Sequence, residues 1–349
     1  MRTAAGTEAP RRTGRARADA AANGGLAASA TPHRNAAVVI GIATVMASLF
    51  VLSYSLALGR PTPHHVPAAV VGSPRGHPRL VRALEQEAKG GLRLSPVSSV
   101  RVADAAIEQQ HVYAALVLDR SPPKLLLASA SGVSVARLLQ QAANRASLHA
   151  HTPLEVVDVQ PLPPQDPQGL VSFYVTLAAT ILGFVTMFQL RAHAAQLSLR
   201  GWLVSVGILA CVGGLVLALL ADVVIGALHG PFVEISGALA AEIATAALFN
   251  ATMLTLFGRW AIIPTWGLFV AIGNASSGGA VAPPLLPTFY GVIGRFLPPG
   301  ATVETIRNAV YFTGAQHLEP VLVEAAWFAA ALSALVVGSR LLERTPGTA

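Results

Sequence analysis

Between Ala36 and Leu58 the chain reads AAVVIGIATVMASLFVLSYSLAL, 23 residues without a charged side chain. A helix of that length rises ~35 Å at about 1.5 Å per residue, enough to cross a hydrocarbon core of about 30 Å. A helix lying on a water-soluble core would need a polar stripe, and this run has none. The residues that follow Leu58 (GRPTPHH) offer no small-x-small cleavage pattern, so the run reads as a retained anchor. Composition agrees, with 53% apolar and only 12% charged residues, where a soluble domain carries roughly 25% charged.

The formal charge of +7 is placed by topology and does not form a nucleic-acid face. Arg2, Arg11, Arg12, Arg15, Arg17 and Arg34 all precede the first apolar run. Residues 1–35, rich in Ala, Gly, Arg, Thr and Pro, read as a disordered basic cytoplasmic tail. Beyond the anchor at 36–58, further spans are expected at 170–190, 202–228, 235–257, 260–274 and 320–342, with a short tail at 343–349. The 260–274 stretch is short and contains Pro264, but omitting it would put Arg340 and Arg344 on the wrong side. With it, Arg191, Arg200, Arg259 and the terminal arginines all share the N-terminal side. The expectation is a multi-pass plasma-membrane protein with six crossings and both termini cytoplasmic.

Residues 59–168 have a different texture. Short β-type runs at 66–71, 112–118, 125–128 and 154–159 alternate with helical patterns at 79–89 and 133–149. The fold class expected is therefore an α-helical polytopic membrane protein with an α/β extracytoplasmic domain inserted between the first two spans. A Pro-rich stretch, PLPPQDP, leads back to the membrane at 169. Histidines at 64, 65, 77, 111, 149 and 151 lack ligand spacing and read as solvated loop residues. The single cysteine, Cys211, sits in an apolar run and gives neither a disulfide nor a thiolate cluster. No metal or cofactor is called for.

Ionisable residues inside spans mark candidate pathways, because hydrocarbon tolerates them only when paired or hydrated. Asp222 and Glu242 fall in the outer parts of neighbouring antiparallel spans, so they are expected at comparable depth. They would form a carboxylate pair sharing a proton or lining a vestibule, or else reach headgroups and nearby hydroxyls. Glu324 reads as an interfacial carboxylate. Gly207, Gly213, Gly214 and Gly226 make the third span a candidate for close helix packing.

The outer segment 275–312 is apolar in patches, yet its glycines and prolines forbid one continuous helix, so a re-entrant or interfacial segment is expected. It ends in ATVETIRNAVYF, an amphipathic helix for the interface. The pattern N-x-S-S-G-G…P-x-x-L-P…I-G-x-x-L-P-P-G-A…R-N-x-x-Y-F is carried here by Asn274, Ser276, Ser277, Gly278, Gly279, Pro284, Pro287, Ile293, Gly294, Leu297, Pro298, Pro299, Gly300, Ala301, Arg307, Asn308, Tyr311 and Phe312. In that segment and in its span layout the chain resembles the ABC-2 type membrane proteins, in particular the YhgE/Pip (phage infection protein-like) branch. The resemblance implies a permease-like export subunit, a homodimer or heterodimer, with an external re-entrant hairpin before the last span. The external domain is shorter here than in long-ectodomain members of that family, and the chain carries no nucleotide-binding domain.

No G-x-x-x-x-G-K-[ST] loop occurs, and the two lysines, Lys89 and Lys124, both lie in the 59–168 segment. The permease reading, export of a hydrophobic or amphipathic substrate, therefore requires a separate cytoplasmic ATPase. The alternative is a non-transporting envelope scaffold or receptor whose external domain binds a ligand or partner. An enzyme is not expected: H-E-x-x-H and G-x-S-x-G are absent, and no span holds a histidine to serve Ser276 or Ser277 as base.

Overall fold

The computed structural model describes residues 13–194 and 196–343, with side chains from 33 to 341 apart from 195. The chain divides into two compact units, Met1–Val51 and Leu52–Ala349. The described part of the first unit is helical and belongs to α1 (Thr13–Leu58). The tail expected to be disordered falls partly outside the described residues. From Thr13 onward, where irregular chain was expected, the backbone is helical, in keeping with the density of alanine there. Along α1 the hydroxyls of Thr44 and Ser48 bond back to the carbonyls of Ile40 and Thr44, so the backbone satisfies the polar side chains of this apolar helix.

The second unit contains a mixed five-stranded sheet followed by the remaining apolar helices. Strands β1 (Val66–Val71), β2 (Leu92–Val97), β3 (Ala114–Val117), β4 (Lys124–Leu127) and β5 (Glu155–Asp158) lie in the order β2-β1-β3-β4-β5. All neighbours are parallel except β3 and β4. Side chains alternate between faces. Val66, Ala68 and Val70 meet α2 (Pro78–Glu87) and α4 (Val133–Ala150). Ala69 and Val71 meet α3 (Val100–Glu108), whose first turn is capped by Ser99.

The carboxylate of Asp166 then accepts from the amides of Leu170 and Val171 at 2.9 and 3.0 Å, which fixes where the chain leaves the Pro-rich stretch and enters α5 (Val171–His193). Next come α6 (Leu199–Leu219), prolonged by a π-helical turn at Leu220–Val224, and α7 (Phe232–Phe257). After α7 a 3₁₀ turn, α8 (Ile262–Trp266) and a π-helical stretch (Gly267–Asn274) continue without a gap. Two shorter pieces, α9 (Thr288–Ile293) and α10 (Pro298–Tyr311), precede α11 (Glu319–Glu343).

Among the described residues, five helical runs are long and apolar enough to cross a membrane: His33–Leu58, Val171–His193, Leu199–Val224, Phe232–Asn274 and Glu319–Leu341. The outward face of α6, with Val204, Ile208, Val212 and Leu215 exposed, is covered by none of the described residues. Lipid is the solvent that such a surface fits.

The 43-residue run Phe232–Asn274 does not continue straight. The rings of Phe249 and Phe269 lie 5.3 Å apart, and Thr265 donates to Asn250 at 3.0 Å. In a straight helix, residues twenty apart would be ~30 Å distant. The chain therefore folds back on α7, and it does so at Gly258, whose φ of +55° suits glycine. Helix directions agree with this reversal. Thr180 pairs with Glu242, and Phe184 with Asn250, so α5 and α7 run parallel. Thr245 pairs with Glu324, and Thr252 with Ala331, so α7 and α11 also run parallel. A parallel pair needs a return path, which α6 supplies in the first case and 258–274 in the second.

Candidate functional site

Helix α7 is the centre of the bundle, and its polar residues Glu242, Thr245, Asn250 and Thr252 are all buried. Three of them fasten neighbouring helices. Asn250 donates to the Phe184 carbonyl of α5 at 3.0 Å, Thr252 to the Ala331 carbonyl of α11 at 3.1 Å, and Thr245 to the Glu324 carboxylate at 2.6 Å. Polar groups buried in hydrocarbon are satisfied by such interhelical bonds.

Glu242 is 0% exposed. Thr180 of α5 donates to its Oε1, and Thr302 of α10 to its Oε2 at 3.2 Å. The same Thr302 hydroxyl lies 3.5 Å from Oε2 of Glu324, which is 7% exposed. Two buried carboxyl groups on two helices are thus bridged by one threonine carried in from the outer segment. Neither takes part in the four ion pairs formed among the described residues.

The pair is not the one expected from the sequence. Asp222 sits half-buried in the π-helical turn at the end of α6, and among the described residues it is not bonded to Glu242. The α6–α7 register explains the separation. A methyl group built on Gly214 would meet Ser236 and Ala240, so position 222 lies level with about 230 in the antiparallel partner. Glu242 is some twelve residues further along, roughly 18 Å at about 1.5 Å per residue. The glycines themselves divide. Gly213 and Gly214 abut α7, Gly207 faces open space, and Gly226 has φ +70° in the loop beyond the π turn.

The outer segment folds as a compact set of turns in which several of the singled-out residues meet. Asn274 donates to the Tyr54 hydroxyl at 2.7 Å. Ser276 and Ser277 bond back to the carbonyls of Gly273 and Asn274. Arg307 reaches from α10 to the Gly278 carbonyl at 3.0 Å and pairs with Glu304 at 2.6 Å. Gly279 lies against Phe173, and a methyl group on Gly300 would collide with the Gly294 carbonyl, so these stretches touch backbone to backbone. Pro298 and Pro299 occupy the first turn of α10, where a missing N–H costs nothing.

Other members of the set stand apart. Pro284 accepts from the His64 amide at 2.8 Å, Leu285 and Ala282 lie in the core of the α/β region, and Pro287 precedes α9. Tyr311 faces a different small cavity beside Asp166 and Arg307. Burial pushes its phenol up to about 12, with Asp166 adding and Arg307 opposing. Tyr113, just before the central strand β3, is likewise pushed up to about 12 by burial, against the opposing charge of Arg307.

The helix α10 departs from expectation too. It is not laid on an interface with one face exposed; Thr302, Val303, Ile306, Arg307 and Asn308 are all buried. This insertion carries Thr302 to the carboxyl pair. It also leaves a cavity of ≈ 420 Å³ between α7, α10 and α11. Its walls are Gly237, Ala238, Ala241, Val321, Ala325 and Phe328; Thr302 and Glu324 lie at one end, with Glu234, Gln316 and His317 at the other.

The members of this polar cluster not singled out from sequence are Glu324, read as interfacial, and the threonines 180, 245 and 302. The available signal was the recurrence of threonine and glutamate within otherwise apolar runs that must pack together. A second cavity of ≈ 260 Å³ gathers Arg191, Ser198, Trp202, Thr255 and Ser339, so the arginine-bearing ends of α5, α6, α7 and α11 meet. No protein-family model, curated protein or solved structure matches this chain.

Proposed function

We propose that the chain is a six-pass transport subunit of the ABC-2 permease kind, exporting a hydrophobic or amphipathic molecule. The observation that carries this reading is the cavity between α7, α10 and α11, with apolar walls, polar residues at its mouth and the Glu242–Thr302–Glu324 bridge behind it. A volume of ≈ 420 Å³ suits a small amphipathic ligand. The reversal at Gly258 supports counting 258–274 as a crossing. The gathering of Arg191, Ser198, Thr255 and Ser339 supports a common, cytoplasmic end for both termini. The α/β region then faces outward from the plasma membrane.

In this reading energy comes from a separate ATPase docked near the basic end, and the protein works as a dimer. The carboxyl bridge tethers α10 to α7 and α11, so a change in its bonding would open or close the cavity. The test is efflux of a preloaded lipophilic dye from cells expressing the wild-type chain or Ala238→Trp, which fills the cavity, at equal membrane levels. Efflux should fall by about tenfold or more in the variant, and a nucleotide-hydrolysing subunit should crosslink to the wild-type chain. Equal efflux from cells with and without the chain, and no such crosslink, would reject transport in favour of a scaffold or receptor.

A further inference from the structure

Among the described residues, the cavity between α7, α10 and α11 is lined by two carboxyl groups, Glu234 at the mouth and Glu324 at depth, and by no lysine or arginine. Glu324 opens directly onto it, while Glu242 stands behind, joined through Thr302. Buried carboxylates ordinarily find a cation. Here, among the described residues, neither Glu242 nor Glu324 is in an ion pair. The cavity itself points the same way: its walls are apolar along Gly237, Ala238, Ala241, Val321, Ala325 and Phe328, and its polar groups gather at the two ends.

We propose that this cavity binds a lipophilic cation: an amine or quaternary ammonium on an apolar body. The cationic head sits against Glu324, and the body lies along Val321, Ala325 and Phe328. Val321 and Phe328 on the cavity wall are exposed, so this apolar wall is not sealed by the described residues. An anionic amphiphile meets two carboxyl groups with only His317 to offset them, and is disfavoured. This assignment rests on the transport reading for its purpose, but binding itself needs neither an ATPase nor turnover.

The test is equilibrium binding to the purified chain in lipid nanodiscs, with empty nanodiscs subtracted. The probes share one chain length: lauroylcholine, the uncharged methyl laurate, and dodecyl sulfate. Lauroylcholine should bind saturably, and the other two should not compete with it. Glu324→Gln should weaken lauroylcholine by about tenfold or more, the loss of one desolvated charge contact. Ala241→Phe, which fills the cavity and leaves both carboxyls in place, should abolish it. The inference is overturned if dodecyl sulfate or methyl laurate competes equally, or if both variants, monodisperse and folded, bind as the wild type does. It is overturned equally if the site is found closed by lipid or by a second copy of the chain that lauroylcholine cannot displace. Binding without efflux would reject the transport reading and leave the site standing, whereas efflux without selective binding would do the reverse.

Discussion

Replacing Gly207, Gly213 and Gly214 by alanine, one at a time, adds the same methyl group to the same helix against three different surroundings. In each case the helix gains about 0.8–1 kcal/mol of intrinsic propensity. At Gly207 nothing lies within 4 Å of the new carbon, so the gain stands and the variant should be stabilised by about 0.5–1 kcal/mol. At Gly213 the new carbon would lie 2.8 Å from Ile243 Cδ1 and from Leu182 Cδ2. Both are ends of flexible side chains that can turn aside, so gain and cost should nearly cancel. At Gly214 it would lie 2.6 Å from the Ser236 carbonyl oxygen and 2.9 Å from Ala240 Cβ. These are backbone-fixed, and an ordinary contact is about 3.5 Å or more, so α6 and α7 must separate by nearly 1 Å. Overpacking of that kind costs about 1–3 kcal/mol, which leaves a net loss of about 1 kcal/mol. The expected spread between Gly207→Ala and Gly214→Ala is therefore about 2 kcal/mol. At about 2–4 °C per kcal/mol this is roughly 4–8 °C in thermal unfolding, measured in one detergent and at one scan rate. A Gly214→Ala protein that melts at or above Gly207→Ala would show that α6 does not rest on α7 through this face.

Two other outcomes follow from the geometry. In a Cys211→Ala background, Glu85→Cys should react with a membrane-impermeant maleimide on intact cells, and Arg259→Cys should react only after the membrane is opened. Labelling of Arg259→Cys from outside would refute the proposed orientation. Arg307→Met leaves the Gly278 carbonyl without its donor, a loss of about 1–3 kcal/mol, and Arg307→Lys should lose less. Hydrogen exchange at residues 276–282 should speed up in that order, and unchanged exchange there would mean that the guanidinium does not hold the loop.

Much of the α/β region was legible because its strands are short β-branched or leucine-rich runs between turn residues. β2 (LRLSPV) escaped notice because Arg93 and Pro96 interrupt the pattern, as an edge strand tolerates. The long apolar helices were legible from length alone. The carboxyl pair was not. Sequence gives a residue's distance from the end of its own helix, but the partner of Glu242 depends on the stagger between helices, and Gly214 sets α6 about twelve residues out of step with the assumed level. Nor does sequence reveal that α10, amphipathic in pattern, is drawn into the bundle. Its entry depends on backbone contact between stretches around Gly294 and Gly300, a tertiary event that local periodicity does not record.

Ala282 and Leu285 are embedded in the core of the sheet, Arg307 grips Gly278 a few residues earlier, and Thr302 touches both buried glutamates. The stretch from 278 to 307 therefore ties the core of the sheet to the floor of the cavity through one continuous run of chain. If the chain transports as proposed, a tilt of the α/β region would be felt at Thr302 without any direct contact between the sheet and the carboxyl pair.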